Sequence, residues 1–163
     1  MKWKAINYFI TLTALISWGF CLIQNSSSGM KQKLDAIFTS DRITIIIEHH
    51  GGYTASYLGK STLLIRKVNN DTTYSVSYKD AIDRKKLAYT INTTELQELK
   101  DLVSELIDHH DPNKKLSGDC LTIDKNYQLQ SPDESLTIKP AKNYCNSYCV
   151  INWIYQHDLQ PKK

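Results

Sequence analysis

Thr94-Glu95-Leu96-Gln97-Glu98-Leu99-Lys100-Asp101-Leu102-Val103-Ser104-Glu105-Leu106-Ile107 is the stretch that organises the chain. Leu96, Leu99, Leu102, Val103, Leu106 and Ile107 recur every three or four residues, so they line one stripe of an α-helix. Glu95, Glu98, Lys100, Asp101 and Glu105 face the other way, toward water. Thr94 followed by Gln97 fits a capping box, in which each side chain serves the other residue's free N–H. Asp111-Pro112 is the expected stop, because a proline disfavours helical geometry in the residue before it.

Upstream of this helix the period changes from 3.6 to two, or to unbroken apolar runs. Ile43-Thr44-Ile45-Ile46-Ile47-Glu48 is a β-branched run that predicts a strand buried on both faces. His49-His50-Gly51-Gly52-Tyr53 breaks it with a turn or bulge at the glycine pair. Thr62 to Val68 is the next strand, Asn69-Asn70-Asp71 a hairpin turn, and Thr73 to Tyr78 the return, with Tyr74, Val76 and Tyr78 on one face. Lys86 to Ile91 leads into the helix. Four neighbouring strands and one amphipathic helix imply an α+β fold, an antiparallel meander with the helix on one face.

Downstream, Asp119 to Asp124, Tyr127 to Gln130 and Ser135 to Lys139 read as short strands, the last ended by Pro140. Between Asn143 and His157 the spacing of Tyr144, Tyr148, Ile151 and Tyr155 predicts a helix, while Val150 to Tyr155 also reads as a strand. A smaller C-terminal element is expected either way.

Lys2 and Lys4 precede an apolar run from Ala5 to Ile23, followed by polar Gln24-Asn25-Ser26-Ser27-Ser28-Gly29. This is the pattern of an export signal, and the run is also long enough for a membrane anchor. The positive side stays cytoplasmic, so the remainder is expected to be exported, periplasmic or extracellular, or tethered by residues 1–23. Trp18-Gly19-Phe20 before Cys21 does not resemble a lipobox. The expected organisation is a leader over residues 1–23, a linker over 24–40 containing a short helix with Leu34, Ile37 and Phe38, and one domain over 41–160. The 163 residues suffice for one core.

Taking Lys2 and Lys4 from the 20 basic residues leaves 18 against 17 acidic ones, a net +1. Arg84-Lys85-Lys86 is preceded by Asp80 and Asp83, so no basic face emerges and nucleic acid is not an expected partner. Ten tyrosines against three phenylalanines suit half-wet sheet surfaces.

Export makes a disulfide plausible, and Cys120 with Cys145 or Cys149 would staple the last segment to the sheet at about 3 kcal/mol. Cys145–Cys149 is the less favoured pairing. Cys-x3-Cys alone does not make a zinc site, which needs about four ligands. His49-His50 and His109-His110 offer a metal shared between two clusters. They read better as loop histidines, with His109 and His110 suiting the negative end of the helix dipole. Phosphate-cradling loops, Gly-x-Ser-x-Gly and His-Glu-x-x-His do not occur. No cofactor, metal or catalytic set is expected.

The hydrophobic strand from Ile43, the Gly51-Gly52-Tyr53 turn, the following strand and the Leu-rich helix to Ile107 together resemble the emfourin-type proteinaceous inhibitors of thermolysin-like metalloproteases. Tyr127-Gln128-Leu129 echoes a later strand. The resemblance implies a protein partner contacted through Gly51, Gly52 and Tyr53. The leader and the cysteines depart from that family's pattern. The expectation is therefore an exported, non-enzymatic binding protein of inhibitor or immunity type. A small metal- or thiol-dependent enzyme and a structural envelope component are the alternatives.

Overall fold

The computed structural model describes residues 27–51, 56–68, 72–115, 123–142, 144 and 148–158. In chain order these form α1 (27–38), β1 (Arg42–Gly51), β2 (Ser56–Lys67), β3 (Thr73–Lys79), β4 (Lys86–Asn92), α2 (Thr93–Asp108), β5 (Asp124–Gln130), β6 (Ser135–Ile138) and α3 (Cys149–Asp158). The strands make one open, wholly antiparallel sheet in the order β4-β3-β2-β1-β5-β6. The first four form the expected meander. The chain then crosses back through α2, and β5 pairs with the free edge of β1, which becomes a central strand.

One core lies between the helices and one face of this sheet. Ile43, Ile45 and Ile47 of β1 meet Leu63 and Ile65 of β2, Val76 and Tyr78 of β3, and Tyr127 and Leu129 of β5. Leu96, Leu99, Val103, Leu106 and Ile107 of α2, with Leu34, Ile37 and Phe38 of α1, close it from above. β1 is therefore not buried on both faces. Thr44 and Ile46 point to the uncovered side, where cross-strand neighbours such as Thr62 and Gln128 shield them only in part.

Three boundaries move from expectation. α1 is already helical at residue 27, inside the stretch read as a tether, and is tied to α2 by Lys31–Asp108 at 2.6 Å and Lys100–Asp35 at 2.8 Å. The capping box of α2 lies two residues earlier than predicted. The Asn92 side chain accepts from Glu95 N, and Glu95 Oε2 accepts from Asn92 N at 2.7 Å. Asn caps at least as well as Thr, and β4 delivers Asn92 in the extended geometry that a cap needs. α2 ends at Asp108, before the proline could act, because His110 already bridges to Pro140.

A bulge interrupts the β1–β2 ladder. His49 pairs with Gly59 but His50 pairs with Tyr57, so Leu58 is the extra residue. Gly59 has φ +141, and a Cβ there would stand 2.9 Å from the Ala81 Cβ. Both the backbone conformation and the close approach call for glycine. Gly59→Ala is expected to cost about 2 kcal/mol, read as a lower denaturation midpoint at unchanged m-value.

Candidate functional site

The bulge marks the end of the sheet where the core turns polar. His49 continues the inward series of Ile43, Ile45 and Ile47, and is only 2% exposed. Ser61 sits two residues beyond Gly59 and is fully buried. Its Oγ lies 2.8 Å from His49 Nε2 and accepts the Ala81 N–H at 3.1 Å. Ser61 also hydrogen-bonds the Tyr78 phenol. Tyr78 donates to Asp80 Oδ2 at 2.7 Å, and Tyr155 of α3 donates to the same oxygen at 3.2 Å. Asp80 Oδ1 accepts from Ile82 N at 2.7 Å and Asp83 N at 2.9 Å, which folds the β3–β4 turn around the carboxylate.

Electrostatics follow from this geometry. Burial alone would raise the Asp80 pKa. The hydrogen bonds from Tyr78, the Asp83 and Ile82 amides and Tyr155 outweigh it, so the carboxyl titrates below its ordinary range. Burial, with the nearby Lys125 charge, lowers His49, which is neutral at pH 7. Burial pushes the Tyr78 phenol well up.

Lys125 of β5 stands directly opposite His49 in the ladder, so both side chains rise from the same face. It is 2% exposed, with its Nζ over the Tyr148 ring at 2.9 Å from the centroid. Burial, then the Lys114 charge, brings its amine down to about 7. Lys114 is itself buried, and pairs with Asp124 at 3.3 Å. Neither His49 Nδ1 nor Lys125 Nζ has a hydrogen-bond partner.

His49 and Ser61 have the spacing of a base and a nucleophile. A working couple also needs an acid on the other imidazole nitrogen and access for substrate. Here Nδ1 has no partner, Asp80 is committed to two phenols, and Ser61 is closed off from solvent. The arrangement is an internal polar network that ties β1, β2, β3 and α3 together.

The four histidines singled out in sequence do not converge. His49 faces the core, and His50 lies on the opposite face, 3.9 Å from Glu48. His109 stacks on Tyr144, with centroids 4.1 Å apart. His110 Nδ1 accepts the Lys139 N–H at 2.9 Å, and burial lowers its pKa, so it is neutral and does not supply the helix end with charge. Among the described residues no group of three or more His, Cys, Asp or Glu could hold a metal.

Gly51 closes β1, buried and paired with Ser56, while Gly52 and Tyr53 lie outside the described residues, as do Cys120 and Cys145. Cys149 is a free, buried thiol at the start of α3, and both proposed partners of the expected disulfide lie outside the described residues. Its Sγ is 4.0 Å from Leu102 O, and burial, with Glu105 nearby, pushes its pKa up to about 11. Such a thiol is a poor nucleophile. Cys149 is expected to resist iodoacetamide in the folded protein and to react once denatured, as peptide mapping of the alkylated chain will read.

The chain matches no protein-family model and no curated protein. Among the described residues no helix is long and apolar enough to cross a membrane. The apolar run up to Ile23 lies outside them.

Proposed function

We propose that this chain is an exported, non-enzymatic binding protein of the bacterial envelope, of the inhibitor or immunity type. The observation that carries the reading is the one-sided construction of the sheet. Three helices cover one face, and among the described residues nothing covers the other. That face presents Ile46 and Leu64, both half-buried. Around them stand Glu48, bonded to Lys60 at 2.8 Å and to Gln128 at 3.1 Å. An apolar centre inside a polar rim is the usual layout of a recognition surface. The apolar leader with its positive flank supports an envelope location. Gly51, the first of the three residues through which the emfourin resemblance implies partner contact, ends β1.

The test is crosslinking in intact cells with the full chain, comparing wild type with Leu64→Glu and with a Gly51-Gly52-Tyr53 variant. The reading expects a discrete adduct with one envelope or secreted protein, lost in at least one variant. Absence of any adduct, or an adduct insensitive to both, overturns it.

A further inference from the structure

We propose that His49 and Lys125 form an acid-sensitive latch that holds the first turn of α3 against the sheet. Two nitrogen atoms without hydrogen-bond partners are adjacent on neighbouring strands, each on a side chain 98% withdrawn from water. A buried polar atom left unpaired destabilises its surroundings, and a charged one does so far more. The pair is tolerated while both groups are neutral. It becomes untenable when both carry protons, because like charges then stand side by side in the core.

Asp80 favours a charged His49 and Asp124 a charged Lys125, but burial outweighs both. Asp80 in the β3–β4 turn is bound by Tyr78 and Tyr155. Asp124 on β5 is engaged by Lys114, whose own charge adds to that of Lys125. Among the described residues, Tyr127, Tyr78, Tyr148 and Cys149 also lie nearby, and burial holds Tyr127, Tyr78 and Cys149 protonated and uncharged at neutral pH. Glu48 and His50 lie on the other face of β1.

The direction of release follows from what covers Lys125. Tyr148 lies over the amine and is itself 41% exposed, the residue next to Cys149 at the start of α3. A charged ammonium on a flexible four-carbon stem reaches water by displacing that ring. Displacing Tyr148 lifts the start of α3. The far end stays tethered through Tyr155 to Asp80, Lys85 to Asp158 at 3.4 Å, and His157 to Glu95 at 3.7 Å. The opening is therefore a local swing about a fixed C-terminal end.

Hydrogen exchange on the full chain tests this, with α3 protection expressed relative to α2 and corrected for intrinsic rates at each pH. Relative protection at the start of α3 is expected to fall about tenfold or more between pH 8.5 and 5.5, since each unit of linkage is tenfold. Lys125→Met should abolish most of that fall, and His49→Asn the part of it below pH 6.5. Equal relative protection at both pH values, or an undiminished fall in both variants, overturns the latch. If Lys125→Met folds poorly, Lys125→Gln gives the same readout.

Discussion

Asp80→Ala is expected to lower the stability of the domain by about 3–5 kcal/mol, the largest loss from any single side chain in the polar network. The carboxylate accepts four hydrogen bonds, from two phenols and two backbone amides, at a position only 6% exposed. Removing it leaves four donors without a partner and unpins the β3–β4 turn from α3. Asp80→Asn keeps the shape and one acceptor, so it should cost about 1–2 kcal/mol. Tyr155→Phe supplies the control. It should cost about 1 kcal/mol in the wild type and almost nothing beside Asp80→Ala, because the two share one bond. The folded carboxyl titrates below its unfolded value, so its contribution is complete above the ordinary carboxylate range and disappears as pH falls through the lowered value. Urea midpoints at pH 7 and pH 3.5 would read both effects. An Asp80→Ala midpoint equal to wild type at pH 7 would refute the network.

Lys125→Met is expected to act in the opposite direction and to stabilise the protein by about 2–3 kcal/mol at pH 7. Holding the amine at about 7, against 10.5 in an open chain, costs roughly 4–5 kcal/mol at neutral pH. The Tyr148 face and screening near the surface offset part of that. Methionine has the length to occupy the same channel without the charge. Between about pH 7 and 10.5 the unfolded chain holds the proton more often than the folded one, so wild-type stability climbs with pH across that interval. Below about 7 both states carry it and this penalty is constant, while His49 adds a further loss as pH drops below 6.5 toward its lowered folded value. Denaturation midpoints from pH 7 to 8.5, below the range where an unfolded Cys149 and the unfolded tyrosines ionise appreciably, should rise in the wild type and stay flat in Lys125→Met. A flat wild-type profile would exclude a strained amine.

The framework of this fold was legible because its signals are local and repeated. The Ile43 to Ile47 run, the alternation through Tyr74, Val76 and Tyr78, and the helical stripe from Leu96 to Ile107 each state a period over several residues. The C-terminal helix was legible in its existence but not in its face: the spacing of Tyr148, Ile151 and Tyr155 predicts a helix, yet Cys149, Val150, Trp153 and Ile154 are the residues it buries. The polar cluster was not, because its members lie far apart in sequence and each is unremarkable alone. Asp80 reads as the acidic neighbour of a basic run, Ser61 falls just before a strand, and Lys125 falls between two. Parity is the signal that would have found two of them. His49 is two residues beyond Ile47, and Lys125 two before Tyr127, so any strand long enough to include both must carry them onto the core side. The expected break at His49 concealed this, and the bulge two residues from Ser61 explains why the strand runs on.

The position of β1 in the sheet also governs how the chain must be assembled. Its two hydrogen-bonding edges are satisfied by segments of different age. β2 follows within a few residues, whereas β5 is made only after some seventy more have emerged. During that interval the β-branched segment Ile43 to Ile47, a hazard for edge-to-edge association, presents an open edge. Pairing across so long a span is slow. A chain delivered across a membrane N-terminus first would meet this hazard outside the cell, so its folding yield depends on how quickly the C-terminal third follows, or on what shields β1 until it does.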